Sequence, residues 1–167
     1  MAAYSEKVAK FATAGPRKNT YNDKDSRVVM RNHFSKLFPN LDIVFAPEKA
    51  KYDLIAYNKD DDIECFFELD HAQNRDWQEP TWGYYSVLER KEENMSKWNE
   101  TAPVIMVWIN QSMTKYIALK WSDEVVFNHE LQSISYCKEE DRKNLKHPFD
   151  FHRRIPFDDI VFDIGEY

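Results

Sequence analysis

The chain has very little glycine. Only three of its 167 residues are glycine, at positions 15, 83 and 165. The phosphate-binding loops of P-loop enzymes and of Rossmann dehydrogenases each need several glycines within a few residues, because the backbone must approach the phosphates closely. Three isolated glycines exclude both kinds of loop. Nucleotide-dependent kinases, ATPases and Rossmann dehydrogenases are therefore poor interpretations of this sequence.

Cysteine and long apolar runs are scarce as well. Cys65 and Cys137 are the only cysteines, too few for a disulfide scaffold or a thiolate metal cluster. No run approaches the roughly 20 apolar residues that a membrane-spanning helix needs. The N-terminal stretch MAAYSEKVAKFATAGPRKN lacks the apolar block of a signal peptide. We therefore expect a cytoplasmic protein that does not bind a membrane.

Positive charge is not in excess. The formal net charge of −6 argues against a protein that coats nucleic acid non-specifically, but it leaves room for a local basic groove. Basic residues cluster at 7–31 and at 142–154, where they suit phosphate contacts or form a solvated face balanced by nearby acids. The candidate phosphate contacts are Arg27, Arg31, Lys143, Lys146, Arg153 and Arg154.

The apolar pattern predicts one α/β domain over 1–167, with a core at about 24–120 and a C-terminal extension at about 121–167. Helices are predicted at 26–37 and 81–98, and strands at 41–47, 52–58, 63–72, 102–110, 115–121 and 124–127. The tail is expected to add an edge strand or to wrap the core. This order predicts a three-strand meander and a crossover helix, giving an α/β sandwich with a central mixed sheet flanked by helices.

Three carboxylates lie in or beside two of the predicted strands. Side chains alternate between the faces of a strand, so Glu68 and Asp70 share one face, and a hairpin about 58–62 brings Asp53 near them. Clustered acids take up protons, pair with bases or bind a hard cation, and magnesium accepts a few carboxylate oxygens plus waters. The alternative is a set of strand-end acids that face water.

The same pattern resembles the PD-(D/E)XK nuclease superfamily. Its core is helix, three strands, helix, strand, and its signature is an Asp that starts the second strand followed by acid–x–Lys on the third. "YDLIAY" matches through Asp53, and "FFELD" matches through Glu68 with Leu69 as the x, over about residues 24–120. The resemblance implies a restriction-endonuclease-like fold in which Asp53, Glu68 and the Leu69 carbonyl hold Mg²⁺ or Mn²⁺.

The sequence departs from this signature at its lysine, which Asp70 replaces. In a working site, Asp70 would be a further metal ligand or would orient water or a second metal. The alternatives are that Asp70 marks a decayed active site or is simply a solvated strand end. Lys91 lies within an apolar stripe of the predicted helix 81–98, between Leu88 and Met95, and needs a partner there. We hypothesise that Lys91 replaces the missing lysine. The alternative is a lysine whose ammonium reaches solvent at the rim of the helix.

The resemblance implies a Mg²⁺- or Mn²⁺-dependent nuclease that hydrolyses phosphodiester bonds of nucleic acid, most simply a DNA endonuclease of the restriction, resolvase or phage kind. Asp53, Glu68, Asp70 and Lys91 would be its catalytic residues. A homodimer is one arrangement that cuts both strands of a duplex, although the sequence does not demand it. The alternative is an inactive protein of the same fold that serves as a DNA- or protein-binding or inhibitory module. Asp70 and the acidic net charge favour that alternative.

Overall fold

The computed structural model describes residues 21–47, 49–71, 84–135, 149–156 and 162–164. These residues form a mixed α/β structure of two sheets and three helices. The helices are α1 (Tyr21–Leu37), α2 (Glu89–Asn99) and α3 (Asp123–Phe127). The strands are β1 (Asp42–Phe45), β2 (Leu54–Tyr57), β3 (Ile63–His71), β4 (Tyr84–Leu88), β5 (Val104–Ile109), β6 (Lys115–Lys120), β7 (Leu131–Ser135), β8 (Phe149–Pro156) and β9 (Phe162–Asp163).

The larger sheet has the strand order β1-β2-β3-β5-β6-β9. Strands β1, β2 and β3 are antiparallel neighbours, which confirms the predicted meander. Strand β5 then pairs in parallel with β3, because the segment between them, which includes α2, crosses over and returns the chain to the middle of the sheet. The predicted mixed sheet with a crossover helix is therefore confirmed.

The β2–β3 hairpin sets the position of the carboxylates. Leu54 lies opposite Phe67 and Ile55 opposite Phe66, within the predicted register. The pairing continues one residue beyond β2, since the Asp53 amide donates a 2.9 Å hydrogen bond to the carbonyl oxygen of Phe67. Asp53 is therefore held beside the last residues of β3, as the hairpin argument predicted.

Each face of the larger sheet is covered by a separate apolar core. On one face, Phe67 and Leu54 pack with Met30 and Phe34 of α1, and the rings of Phe34 and Phe67 stack at 4.6 Å between centroids. On the other face, Phe66 belongs to a second cluster with residues of β4, α2 and β8. The alternation along β3 thus buries neighbouring side chains in opposite cores.

Residues 84–88 lie within the helix predicted at 81–98, and for these residues the prediction is wrong. They form β4, which runs directly into α2 at Glu89 and pairs antiparallel with β8. Tyr85 and Val87 are buried on the same side of the strand. The four-residue spacing of Tyr84 and Leu88 imitates a helical stripe, but a partner strand almost seventy residues away in the chain decides the conformation.

Residues 124–127 were predicted to be a strand and instead belong to α3. Ser122 caps this short helix, because its hydroxyl oxygen accepts a hydrogen bond from the amide of Val125. Asp123 and Glu124 occupy the first turn, where acidic side chains are favoured by the helix dipole. The adjacent valines at 125 and 126 are typical of a strand, but only Val126 is buried. The Ser122 cap and the acidic first turn favour a helix instead.

The tail contributes to both sheets. Strand β9 forms an edge of the larger sheet beside β6, which confirms the predicted edge strand. Strand β8 is the middle strand of the smaller sheet, whose order is β4-β8-β7. Among the described residues, no helix is long and apolar enough to cross a membrane.

Candidate functional site

A cavity of about 490 Å³ lies where the start of β2, the end of β3, α1 and α2 meet. All five residues predicted as catalytic residues or metal ligands line it together: Asp53, Glu68, Leu69, Asp70 and Lys91. The hairpin supplies the first four, and α2 supplies the lysine. The structure therefore brings the predicted catalytic set to one place, although the roles of these residues stay predictions.

Lys91 is the cation of the carboxylate cluster. Its Nζ lies 2.6 Å from Oε1 of Glu68 and 2.8 Å from Oδ1 of Asp70. Burial by itself lowers the pKa of Lys91, but the Asp70 and Glu68 carboxylates outweigh burial and hold that pKa above its usual value. Lys91 thus stays charged and joins two acids that would otherwise repel each other.

Glu68 has a strongly raised pKa. Its side chain is 8% exposed, and burial raises its pKa to about 8, with Lys91 opposing the rise and Asp53 and Asp70 adding to it. Its second oxygen, Oε2, is buried and has no hydrogen-bond partner among the described residues. A buried carboxylate oxygen that accepts no hydrogen bond destabilises the folded protein, so Oε2 is favourably placed to bind a proton or a cation.

Asp53 is held by main-chain groups and by an arginine. Oδ2 of Asp53 accepts a 2.8 Å hydrogen bond from the amide of Leu69. The carboxylate thus takes the place of a main-chain acceptor beside the end of β3. Nε of Arg27 lies 3.7 Å from Oδ1 of Asp53, and the same guanidinium donates to the carbonyl oxygens of Ala46 and Asp53 at 3.0 Å each. These contacts fix the carboxylate at the end of the hairpin.

Both oxygens of Asp70 accept hydrogen bonds. Oδ1 accepts from Lys91, and Oδ2 accepts from the hydroxyl of Tyr85 at 2.9 Å. Tyr85 is buried, and burial together with the Asp70 charge raises its pKa well above the usual value, so it remains a donor. Sequence reasoning missed Tyr85, because its position facing Asp70 depends on β4 being a strand. This arrangement favours an Asp70 that orients Lys91 over one that binds metal directly.

The two N-terminal candidates for phosphate contacts have other partners here. Arg27 is 1% exposed and holds the β1–β2 connection as described above. Arg31 donates from Nε to the carbonyl oxygen of Ile43 at 3.1 Å, and its guanidinium lies over the ring of Phe45. These contacts indicate that both side chains attach α1 to the sheet, and a role in phosphate binding stays a prediction.

The two C-terminal candidates within the described residues, Arg153 and Arg154, are not among the residues that line the cavity. Nε of Arg153 donates to Oε1 of the buried Glu92 at 2.7 Å, and Nη1 of Arg153 donates to the carbonyl oxygen of His129 at 2.6 Å. Arg153 therefore ties β8 to α2, a structural role that the charge pattern did not reveal. Arg154, the next residue of β8, is exposed. Lys143 and Lys146 lie outside the described residues.

The cluster has the donor chemistry of a hard-cation site. Asp53 and Glu68 offer carboxylate oxygens, and Oε2 of Glu68 is a buried acceptor without a donor among the described residues. Since the N–H and C=O of a strand residue point to the same side, the Leu69 carbonyl lies on the side of its amide, toward Asp53. These atoms fit Mg²⁺ or Mn²⁺, although no set of three His, Cys, Asp or Glu within the described ranges meets the geometry of a metal-binding group.

No family model, no curated protein and no solved structure matches this chain. No relative therefore supplies a function or a set of catalytic residues. A functional assignment has to come from the geometry of the cavity and from the motif that its residues form.

Proposed function

We propose that the protein is a metal-dependent nuclease that cleaves phosphodiester bonds of DNA as an endonuclease, built on a PD-(D/E)XK-like sandwich. The supporting observation is the 2.6 Å contact between Lys91 Nζ and Glu68 Oε1, in a cavity that Asp53 also lines. An acid pair at the ends of two hairpin strands, with a lysine against one of them, is the arrangement that the motif implies. Here the lysine comes from α2 instead of β3.

In this proposal Asp53, Glu68 and the Leu69 carbonyl hold Mg²⁺ or Mn²⁺. The metal supplies positive charge for phosphate oxygens and lowers the pKa of its bound water. Lys91 carries three N–H donors, of which two meet Glu68 and Asp70. The third is directed to a water or a phosphate oxygen in the cavity, where a fixed cation stabilises negative charge that develops in the transition state.

Asp70 and Tyr85 act on Lys91 in this scheme, and they do not touch the substrate. Asp70 accepts from Lys91 with one oxygen and from Tyr85 with the other, so the carboxylate cannot rotate without losing a hydrogen bond. The ammonium is thereby kept against Glu68. Asp70 thus takes part in placing the lysine, although it occupies the position where the motif has the lysine itself.

The test is cleavage of supercoiled plasmid, single-stranded DNA and a four-way junction in Mg²⁺ or Mn²⁺. Asp53→Asn, Glu68→Gln and Lys91→Met should each lower the cleavage rate at least about a hundredfold, the scale seen when one preorganised charge-stabilising group is lost. Lys97→Met, on the exposed side of α2, is the matched control and should cleave normally. A folded parent that cuts none of these substrates, or a fully active Lys91→Met, contradicts the proposal.

An inactive binding or inhibitory module is the second candidate. It is supported by Lys91, whose ammonium contacts both Glu68 and Asp70 and so offsets part of their negative charge. Metal affinity separates the two candidates. A nuclease should bind Mn²⁺ and lose that affinity in Glu68→Gln, whereas a binding module should show the same weak response to Mn²⁺ in both proteins.

A further inference from the structure

The charges around the cavity are arranged in two layers. In the inner layer, three acids (Asp53, Glu68 and Asp70) are partly balanced by two cations that line the cavity with them, Arg27 and Lys91. Two exposed cations, Lys51 and Arg90, also line the cavity and come from different elements. We call Lys51 and Arg90 the rim cations. A cationic ligand would be attracted by the acids but repelled by the rim, whereas a metal ion together with a polyanion satisfies both layers.

Local geometry explains why Lys51 belongs to the cavity. It lies in the connection between β1 and β2, two residues before Asp53, and both side chains line the cavity. Tyr52, between them, is buried in the same apolar cluster as Phe66 and packs edge-on against Trp98. The chain bends at 51–53, and the burial of Tyr52 holds this bend beside the cavity that Lys51 lines.

Arg90 reaches the cavity from the first turn of α2. Asn94, four residues later, lines the cavity as well. Residues four apart lie on one face of a helix, so this face of α2 is directed at the cavity over more than one turn. Arg90 is exposed, and Lys91 beside it is half-buried against the acids, which gives α2 one cation at depth and one at the rim.

We propose that Lys51 and Arg90 bind the phosphates that neighbour the one placed above Glu68, so that the ligand of the cavity is a polynucleotide strand and not a mononucleotide. The inference rests on the proposed function, because it takes the carboxylates and Lys91 as the place of the central phosphate. A single phosphate would need only Lys91 and the metal. Two further exposed cations in separate walls are suited to a ligand that carries more than one phosphate.

The rim cations differ from the basic residues that cluster in the sequence. Arg27, Arg31 and Arg153 attach elements of the fold to one another, whereas the rim cations are exposed side chains that line the cavity. Arg90 lies between Glu89 and Lys91, and Lys51 lies two positions after Lys49, so neither belongs to the basic clusters at 7–31 and 142–154. Phosphate recognition is thus assigned by the position of single cations in the fold.

Binding without turnover tests this inference. Fluorescence anisotropy with a labelled single strand of about 12 nucleotides, in Ca²⁺ and at salt from about 50 to about 200 mM, gives the affinity and its salt dependence. Lys51→Gln and Arg90→Gln should each weaken binding and reduce the slope of log affinity against log salt by about 0.7. Lys49→Gln, exposed in the same connection, and Lys97→Gln, exposed on the same helix, are the matched controls and should bind as the parent does.

Competition with a mononucleotide, a dinucleotide and a longer strand supplies the second measurement. The affinity of the parent should rise with each added phosphate, and each rim variant should lose part of that rise. The inference is overturned if a mononucleotide competes as well as the longer strand, or if the rim variants bind like the controls.

Failure of this inference and failure of the nuclease proposal give different results. A protein that binds through Lys51 and Arg90 but never cleaves supports the rim assignment and removes the nuclease. A protein that cleaves DNA with binding insensitive to both substitutions keeps the nuclease and removes the rim assignment.

Discussion

Replacing Glu68 by Gln should change how stability depends on pH in the metal-free protein. Burial, together with the nearby Asp53 and Asp70 and against the attraction of Lys91, raises the pKa of Glu68 from about 4.5 to about 8. In the unfolded chain the carboxyl returns to its usual pKa. Between these two values the folded protein therefore binds about one proton more than the unfolded chain.

The sign and the size of the change in stability follow from this difference in bound protons. The free energy of unfolding falls as pH rises wherever the folded state holds the extra proton, by about 1.4 kcal/mol per pH unit. The stabilising effect of the raised pKa is complete below about pH 4.5 and is lost as pH rises through about 8. From about pH 5 to about pH 8, the parent should lose about 4 kcal/mol relative to Glu68→Gln, whose amide does not titrate.

Urea unfolding followed by tryptophan fluorescence, in a chelator and at several pH values, measures this difference. Subtracting the curve of Glu68→Gln from that of the parent removes the titration of the shared groups that do not interact with Glu68. Glu64→Gln is the matched control, because Glu64 lies on the same face of β3 but is exposed and bonded to Asn58. Only Glu68→Gln should diverge from the parent as pH rises.

The reasoning is refuted if the parent and Glu68→Gln have parallel stability curves over this range. Saturating Mg²⁺ provides a further check, because a cation that binds the ionised carboxylate favours the charged form. Mg²⁺ should therefore stabilise the parent more at pH 8 than at pH 5 and should act little on Glu68→Gln. Equal stabilisation of both proteins would place the ion elsewhere.

Two further substitutions test the contacts around Lys91 and α2. Tyr85→Phe removes the donor to Asp70 Oδ2 and should cost about 1.5–3 kcal/mol by urea unfolding, and it should lower kcat but not raise KM for DNA; an unchanged kcat contradicts a positioning role. Arg153→Met leaves Glu92 buried without its cation and should cost about 3–5 kcal/mol, part of which Glu92→Gln should recover in the double variant. Unchanged stability together with weaker DNA binding would instead support Arg153 as a phosphate contact.

The β2–β3 hairpin was predictable because its determinants are local. Two apolar runs flank the polar turn at 58–62, and strand alternation then assigns each side chain to a face. The structure confirms the register and the position of Asp53 beside the end of β3. Lys91 was singled out by a helical stripe that is only partly real, since Leu88 lies in β4, but Met95 and Lys91 do share α2.

The rest of the candidate site depends on contacts between distant segments. Tyr85 faces Asp70 because β4 pairs with β8, whose residues come almost seventy positions later. Arg153 meets Glu92 through the same pairing. Local periodicity carries no information about such a distant partner. The apolar spacing therefore predicts a helix at 84–88, where the structure has a strand.

The sequence by itself determined the larger sheet, its crossover and the convergence of Asp53 with Glu68, because hairpin closure and alternation follow from neighbouring residues. Only the tertiary structure decided which cations serve which acids. Coulomb attraction and burial depend on distances between side chains of different elements, which local sequence does not set. The fold places Arg27 against Asp53 and Arg153 against Glu92, where both join elements of the structure. It places Lys91 against Glu68, and the rim cations at the mouth of the same cavity.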